Sequence, residues 1–337
     1  MRPFIYERAA DDRAALLAAA SKDTMPSNAA PAQFIAGGTQ LLDLMKLDTM
    51  QPATLVDING LPGHSAITLS PKGLQLGALV KMSDAAAHPE IKRDYPVIAQ
   101  TLAMAASAQI RNMASLAGNV LQRTRCQYFR DPSWAACNKR DPGTGCAALE
   151  GVNRKHAVLG ISDKCIASYS GDFAQAMVAL GAQVQTVRAT GGGRTIPFEQ
   201  LHTGSGDPHR ETVLAPGELI TGFTVPAGPW TRRSAYVKVR DRESYAYGLA
   251  TAAVALHLDD GVVREARIGL GAVSYKPWRA KEAEDALRGK RLDEATATAA
   301  AQAAFNGART HGENAYLPDL GRRTLVRALM QAQAMEI

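Results

Sequence analysis

The chain has 337 residues, 46% of them hydrophobic and 21% charged, with a formal net charge of +6. That composition describes an ordinary globular protein with ample core material, enough for one large domain or two to three smaller ones. It excludes several classes. Lys and Arg are spread along the chain rather than gathered, so no nucleic-acid footprint is expected. No apolar run approaches the ~20 residues that span a bilayer, and the opening MRPFIYERAADDR has neither an apolar core nor a twin-arginine pair, so no export signal of its own is expected.

In chain order, Phe4–Glu7 reads as a first strand, and Asp11-Asp12 can cap a helix through Ala14–Ala20. Ser21–Pro31 is a polar, Pro-bearing loop. Phe34-Ile35-Ala36 suits a buried strand, Gly37-Gly38-Thr39 breaks it, and Leu41, Leu42, Leu44, Met45 and Leu47 follow at helical spacing. A strand, a tight Gly turn and a helix leave turn amides free for an anion such as a diphosphate, and two glycines allow close backbone approach. The motif is neither GxGxxG nor a P-loop, and an ordinary strand-to-helix turn would look the same.

Leu55–Ile58 reads as a strand, Ala66–Leu69 and Leu74–Leu79 as a hairpin, and Ser83–Ala87 and Pro96–Ala106 as helices. Asp172 precedes an amphipathic helix, Phe173–Leu180, and is placed to cap it. Ala182–Val187 and Thr195–Phe198 flank three glycines as a second hairpin, and Leu219–Val225 is a further strand. Pro226–Trp230 interrupts the pattern and is the best boundary candidate, giving domains 1–228 and 229–337. Beyond it, Ala235–Val239, Ala250–Leu258 and Val262–Ala272 read as three longer strands, with helices from about Pro277, Asp293 and Leu320. The expected fold class is α+β, the second domain being a three-stranded antiparallel sheet covered by helices.

Two further stretches could carry chemistry. Ser107–Asn119 ends in Ser115-Leu116-Ala117-Gly118-Asn119, small residues that admit a polar ligand, though a plain helix-end loop is equally served by them. The four cysteines of the chain, Cys126, Cys137, Cys146 and Cys165, all fall in one Pro- and Gly-rich loop, 126–165, at C-x10-C-x8-C-x18-C. Four thiolates can hold an iron–sulfur cluster or a tetrahedral zinc. Two disulfides, or four uninvolved thiols, are the plainer alternatives. The spacing matches neither paired CxxC nor a ferredoxin run, so it does not name the metal. Histidines are scattered without HExxH, and GSGD at Gly204–Asp207 fails GxSxG, so hydrolytic chemistry is not indicated.

These elements together resemble the FAD-binding medium subunit of the molybdenum hydroxylases, the family holding the flavin subunits of carbon monoxide dehydrogenase, xanthine dehydrogenase and aldehyde oxidoreductases. The resemblance runs through almost the whole chain: AGGTQLL at Ala36–Leu42, IRNMASLAGN at Ile110–Asn119, SGDFAQAMVALGA at Ser170–Ala182, PGELI at Pro216–Ile220, then YVKVRDRESYAYG and GLGAVSYKPWRA. Where the family usually has TxGGN, Ala117 replaces one glycine. Within the family, flavin subunits of bacterial periplasmic aldehyde oxidoreductases are similar also in the cysteine loop, at LQRTRC, CNKR, GCAALEG and GISDKCIA.

The resemblance implies a PCMH-type FAD-binding domain of two α/β subdomains, followed by the C-terminal domain of these flavoproteins. It implies that Phe34, Ile35, Ala36, Gly37, Gly38, Thr39, Gln40 and Leu41 hold the FAD diphosphate, with Ser107, Ser115, Ala117, Gly118 and Asn119 on its other side. Asp172 would hydrogen-bond the cofactor, and Lys238, Leu219 and Ile220 would flank the isoalloxazine. Cys126, Cys137, Cys146 and Cys165 would bind a [4Fe–4S] cluster, either as an electron relay or as a staple for the loop.

The implied protein is an electron-transfer subunit of an aldehyde-oxidising enzyme. Its partners would be a large molybdenum-cofactor subunit, a small [2Fe–2S] subunit and an external electron acceptor, and no residue here acts as a general acid or base. It would be cytoplasmic, or periplasmic if a signal-bearing partner carries it out folded. Other readings are a flavin subunit of a xanthine dehydrogenase-like enzyme, a free-standing flavin reductase, and a non-redox assembly protein with zinc on the four cysteines. Colour, metal content and co-purification separate them.

Overall fold

A computed structural model describes residues 1–20 and 25–337; part of the expected 21–31 loop therefore lies outside the described residues. The chain opens with β1 (Ile5–Arg8), α1 (Asp12–Ala18), β2 (Ala32–Ile35), α2 (Leu41–Lys46) and β3 (Thr54–Asp57). The strands form a parallel sheet in the order β1-β3-β2. Its central strand, TLVD, is the buried one, as parallel pairing flanked by crossover helices requires. Asp11 caps α1, its carboxylate accepting from the Ala14 amide at 2.7 Å, and Ala15 and Leu16 pack on Val56, Leu61 and Leu219.

A second layer follows. β4 (Ile67–Ser70) and β5 (Gly73–Gly77) form the expected hairpin. Five short helices succeed them: α3 (Met82–Ala87), α4 (Pro89–Asp94), α5 (Pro96–Ala103), α6 (Ala108–Met113) and α7 (Leu116–Val120). Prolines open α4 and α5, where the missing amide hydrogen costs nothing. The cysteine loop holds only one regular turn, α8 (Gln127–Arg130). Then come α9 (Phe173–Leu180), β6 (Gln183–Val187), β7 (Gly193–Pro197), α10 (Phe198–Leu201) and β8 (Leu219–Pro226). The five strands make one antiparallel sheet, β4-β5-β8-β6-β7.

The last unit is an antiparallel sheet, β12-β11-β10-β9, of β9 (Ser234–Val239), β10 (Ala250–Asp259), β11 (Val262–Gly271) and β12 (Trp278–Arg279). Asp260 and Gly261 both hold positive φ in the β10–β11 turn, the backbone a tight hairpin needs. Helices α11 (Lys281–Leu287), α12 (Glu294–Ala304) and α13 (Leu317–Gln333) cover one face. The sheet thus has four strands where the sequence predicts three. Trp278 and Arg279 pair with Leu270 and Gly269, and α11 starts four residues after the expected Pro277. Two residues are too short a run to show periodicity in a sequence.

Helix α9 fastens the two halves. All eight of its residues are buried, so the amphipathic helix read from the sequence is enclosed on every side. Its inner side packs on the five-stranded sheet, with Phe173 edge-on to Phe223 at 6.0 Å. Its outer side lies on β11, where Cβ atoms on Gly269 and Gly271 would overlap Gln175. Here glycine serves helix-on-sheet approach, not a turn.

Candidate functional site

Two cavities meet at the Gly turn between β2 and α2. A smaller chamber of about 210 Å³ is bounded by the turn, Ser115, Arg123 and Glu211. A larger one of about 1010 Å³ runs past Asn119 and Asp172 to Tyr245 and Tyr247, at the top of the ~300–1,000 Å³ range of ligand pockets. Thr39, Gln40, Ala114, Gly118 and Gln122 border both. The end of the Gly turn, Thr39 and Gln40, thus stands where the two chambers adjoin.

The turn is shaped by packing as well as by any ligand. Gly38 has φ +68°, a left-handed conformation costly for other residues. Gly37 is different. A Cβ there would overlap the Met113 carbonyl at the end of α6, so the missing side chain lets α6 close on the turn. Among the described residues the amides of Gly37, Gly38, Thr39 and Gln40, half-buried or exposed in the cavity wall, find no acceptor within the protein. Four adjacent donors in the wall of a cavity form a cradle for anionic oxygen.

The opposite wall behaves otherwise. Ser115 caps α7, its Oγ accepting from the Gly118 amide at 3.2 Å, and the amides of Leu116, Ala117 and Asn119 bond to Val80, Ala78 and Ser115 carbonyls. The SLAGN segment therefore presents small surfaces and the Asn119 side chain rather than free amides. The Asn119 Oδ1 is buried without a partner and borders the large chamber.

Phe34, Ile35, Ala36, Gly37, Gly38, Thr39, Gln40 and Leu41 all border the small chamber, as do Ser115 and Gly118; Asn119 and Asp172 border the large one. Five expected site residues stand behind the walls. Ser107 caps α6, its Oγ accepting from the Ile110 amide, and Ala117 packs against the core. Leu219 and Ile220 pair with Val187 and Thr186 in the sheet and send their side chains into two cores. Lys238 is buried and reaches the site only through Asp172.

Asp172 does not cap α9. Its backbone is already helical and its side chain makes no cap bond. The carboxylate instead accepts from Tyr236 Oη at 2.6 Å and Lys238 Nζ at 2.8 Å, both on β9. Burial pushes the Asp172 carboxyl up despite the ammonium beside it. Lys238 Nζ and Arg240 also donate to the Met104 carbonyl at the end of α5, where the helix dipole favours cations.

A second buried charge cluster, not foreseen from the sequence, joins the cysteine loop to the small chamber. Glu211 accepts from Arg123 Nε and from Lys139 Nζ, each at 2.7 Å, and Lys139 also donates to Tyr275 Oη at 2.9 Å. Burial raises the Glu211 carboxyl, but the two cations outweigh it and hold it at about 2. Gln40 grips the Arg123 backbone by two bonds, at 2.7 and 2.9 Å. Arg123 stands three residues before Cys126, but Glu211 lies 88 residues from Arg123 and 72 from Lys139, beyond the reach of local spacing.

The four cysteines border one small cavity of about 10 Å³, together with Lys139 and Lys164. None is in a disulfide. Among the described residues no group of three or more His, Cys, Asp or Glu side chains is already placed to hold a metal ion. Backbone amides, those of Tyr128 and Phe129 at Cys126, of Ala148, Leu149 and Ile166 at Cys146 and of Ala167 at Cys165, favour the thiolates at three of the four positions. Burial pushes the Cys126 thiol up to about 12, and its hydrogen bond with Cys165 lowers Cys146 while raising Cys165. His156 Nε2 lies 3.2 Å from Cys126 Sγ.

Family models match nearly the whole chain. Residues 6–228 match the FAD binding domain in molybdopterin dehydrogenase, and residues 234–332 the CO dehydrogenase flavoprotein C-terminal domain. The aldehyde oxidoreductase FAD-binding subunit PaoB of Escherichia coli is 43% identical over 99% of both chains. The nicotine 6-hydroxylase medium subunit of Paenarthrobacter nicotinovorans is 28% identical over 88% of this chain and 89% of that one. Among solved structures, carbon monoxide dehydrogenase from Hydrogenophaga pseudoflava superposes with a TM-score of 0.76 at 23% identity, covering 99% of this chain and 98% of that one, which speaks to the fold. With its free turn amides in the cavity wall and both domains matched, the chain belongs to the FAD-binding medium subunits of the molybdenum-hydroxylase oxidoreductases.

Proposed function

We propose that this chain is the electron-transfer subunit of an aldehyde-oxidising molybdenum enzyme, standing between the redox centres of its partners and an external acceptor. The observation that carries the cofactor's placement is the row of unpaired amides at Gly37–Gln40, set where the two chambers meet. They would hold the FAD diphosphate, the small chamber the nucleotide end and the large chamber the isoalloxazine. FAD supplies the electron chemistry; the chain supplies position and electrostatics. Asp172, anchored by Tyr236 and Lys238, presents a buried carboxyl to the large chamber. The 43% identity to a subunit named for aldehyde oxidation supports the substrate class.

In this reading a large molybdenum-cofactor subunit oxidises the aldehyde, and a small [2Fe–2S] subunit completes a heterotrimer. The cysteine loop would hold a [4Fe–4S] cluster. Four thiols around one cavity, three of them with backbone amides that favour the thiolate, are a suitable donor set. The 10 Å³ cavity means that the bonded Cys146 and Cys165 side chains must part to admit it. The complex would be periplasmic if a signal-bearing partner exports it, and cytoplasmic otherwise. No helix among the described residues is long and apolar enough to cross a membrane.

The test is anaerobic. Adding an aromatic aldehyde to the purified complex should bleach the flavin absorption; adding it to this chain alone should not. Bleaching in the isolated chain would make it a free-standing flavin enzyme. No bleaching in an active complex would remove the flavin from the electron path.

A further inference from the structure

The mouth of the large chamber carries charge and aromatic rings that cofactor binding leaves unused. Arg154 and Lys155 emerge there from the cysteine loop and share one carboxylate, Asp241. Arg125 and Arg130 share another, Asp43. Arg242 meets no carboxylate among the described residues; its guanidinium donates to the carbonyls of Ser244 and Tyr245. Five cations thus border the chamber against two carboxylates at its rim, the third acid, Asp172, being paired with Lys238 behind the wall. Such an excess in a concave, low-dielectric opening concentrates anions.

Two tyrosines stand among these cations. Arg125 lies over the Tyr247 ring at 5.0 Å and Arg242 over the Tyr245 ring at 5.8 Å. Tyr245 is 57% exposed and Tyr247 47%, so neither ring is spent on the core. Tyr245 also holds φ +51°, a conformation unfavourable for a bulky side chain and found where a binding surface needs it. Guanidinium groups and ring faces alternate along the lip. A flat aromatic molecule can stack there while its anionic group meets a guanidinium.

We propose that this lip is the docking site of the electron acceptor, and that it selects a planar aromatic oxidant bearing negative charge, of the sulfonated ortho-quinone class. The proposal rests on the reading that this subunit serves an external acceptor. The turnover balances: aldehyde and one water become the carboxylic acid, releasing two electrons and two protons, and the quinone takes both pairs to become the hydroquinone.

The experiment uses the whole complex with an aldehyde and two acceptors, 1,2-naphthoquinone-4-sulfonate and the uncharged 1,2-naphthoquinone. The ratio of their kcat/KM values is the readout. Arg242→Gln and Lys155→Gln should each lower that ratio roughly 5-fold, through the KM of the sulfonate, because removing a rim charge acts on encounter. Arg242→Lys should restore most of it, and the wild-type ratio should shrink as salt rises. A ratio unmoved in both Gln variants overturns the proposal. So does release of FAD from the Arg242→Gln complex, which would assign the guanidinium to the cofactor. Anaerobic bleaching of the flavin by aldehyde separates the two levels: bleaching with an unmoved ratio removes the lip alone, and no bleaching removes the electron-transfer reading with it.

Discussion

The two buried carboxylates, Glu211 and Asp172, solve one problem in different ways. Each is enclosed, each borders a chamber, and each is gripped by two side-chain donors. Glu211 faces two cations, and its carboxyl is held at about 2. Asp172 is hydrogen-bonded to one cation and one neutral phenol, with Arg240 acting on it without a direct bond, and its carboxyl is pushed up. One bonded cation does not offset desolvation here; two do. The first cluster is therefore a fixed-charge tie between the cysteine loop and the small chamber. The second is a polar tie between β9 and α9 whose carboxyl sits nearer to taking a proton.

The sharpest way to break this contrast is Glu211→Gln. It leaves Arg123 and Lys139 buried without a counter-charge, and about 3–5 kcal/mol of stability should be lost, read as a fall in denaturation midpoint with loss of flavin. Gly37→Ala should follow, at about 1–3 kcal/mol for forced overpacking, because its new Cβ meets the rigid Met113 carbonyl; weakened FAD retention is the readout. Asp172→Asn keeps the shape and the Tyr236 bond, and Lys238 retains the Met104 carbonyl. About 2 kcal/mol is expected from the lost charge-assisted bond. Asp11→Ala, remote from both chambers, should cost about 1 kcal/mol as a lost helix cap and leave flavin content unchanged.

Acid titration sharpens the contrast through its sign. The folded Glu211 carboxyl lies at about 2, below its ordinary 4.5. Its stabilisation is present above pH 4.5 and is lost as pH falls toward 2, about 3 kcal/mol in all. Asp172 is shifted upward, so the folded protein binds its proton more readily and stability from this group falls as pH rises above the ordinary carboxylate range. Unfolding midpoints measured against pH should lose part of their acid slope in Glu211→Gln, the Glu218 carboxyl, also held at about 2 against burial by its hydrogen bonds to Arg194 and Thr186, keeping its share, and should steepen slightly in Asp172→Asn. Equal slopes in both variants would contradict the assignment.

What the sequence made legible was local. The Gly turn could be read because a strand, two glycines and a helical repeat are adjacent, and the cysteine loop because all four thiols share one window. The β9–β11 strands were legible as three longer strands beyond the Pro226–Trp230 break. The charge clusters were not: Tyr236 and Lys238 lie 64 and 66 residues from Asp172, and a lone Asp before a helix reads as a cap. Gly37 was legible as a glycine the fold needs but not for its reason, since the Met113 carbonyl that requires it comes from a helix 76 residues away. Leu219 and Ile220 lie in a strand whose side chains both turn into cores, a placement the family motif did not reveal.

The most direct test of the account is a joint assay of flavin, iron and acid-labile sulfide on this chain, expressed alone and purified anaerobically. The account predicts one FAD with about four irons and matching sulfide per chain, the count for four cysteines on one cluster. Cys137→Ser should lower the iron. Flavin without iron or sulfide in the anaerobic wild-type chain would contradict the cluster and return the four cysteines to a purely structural loop.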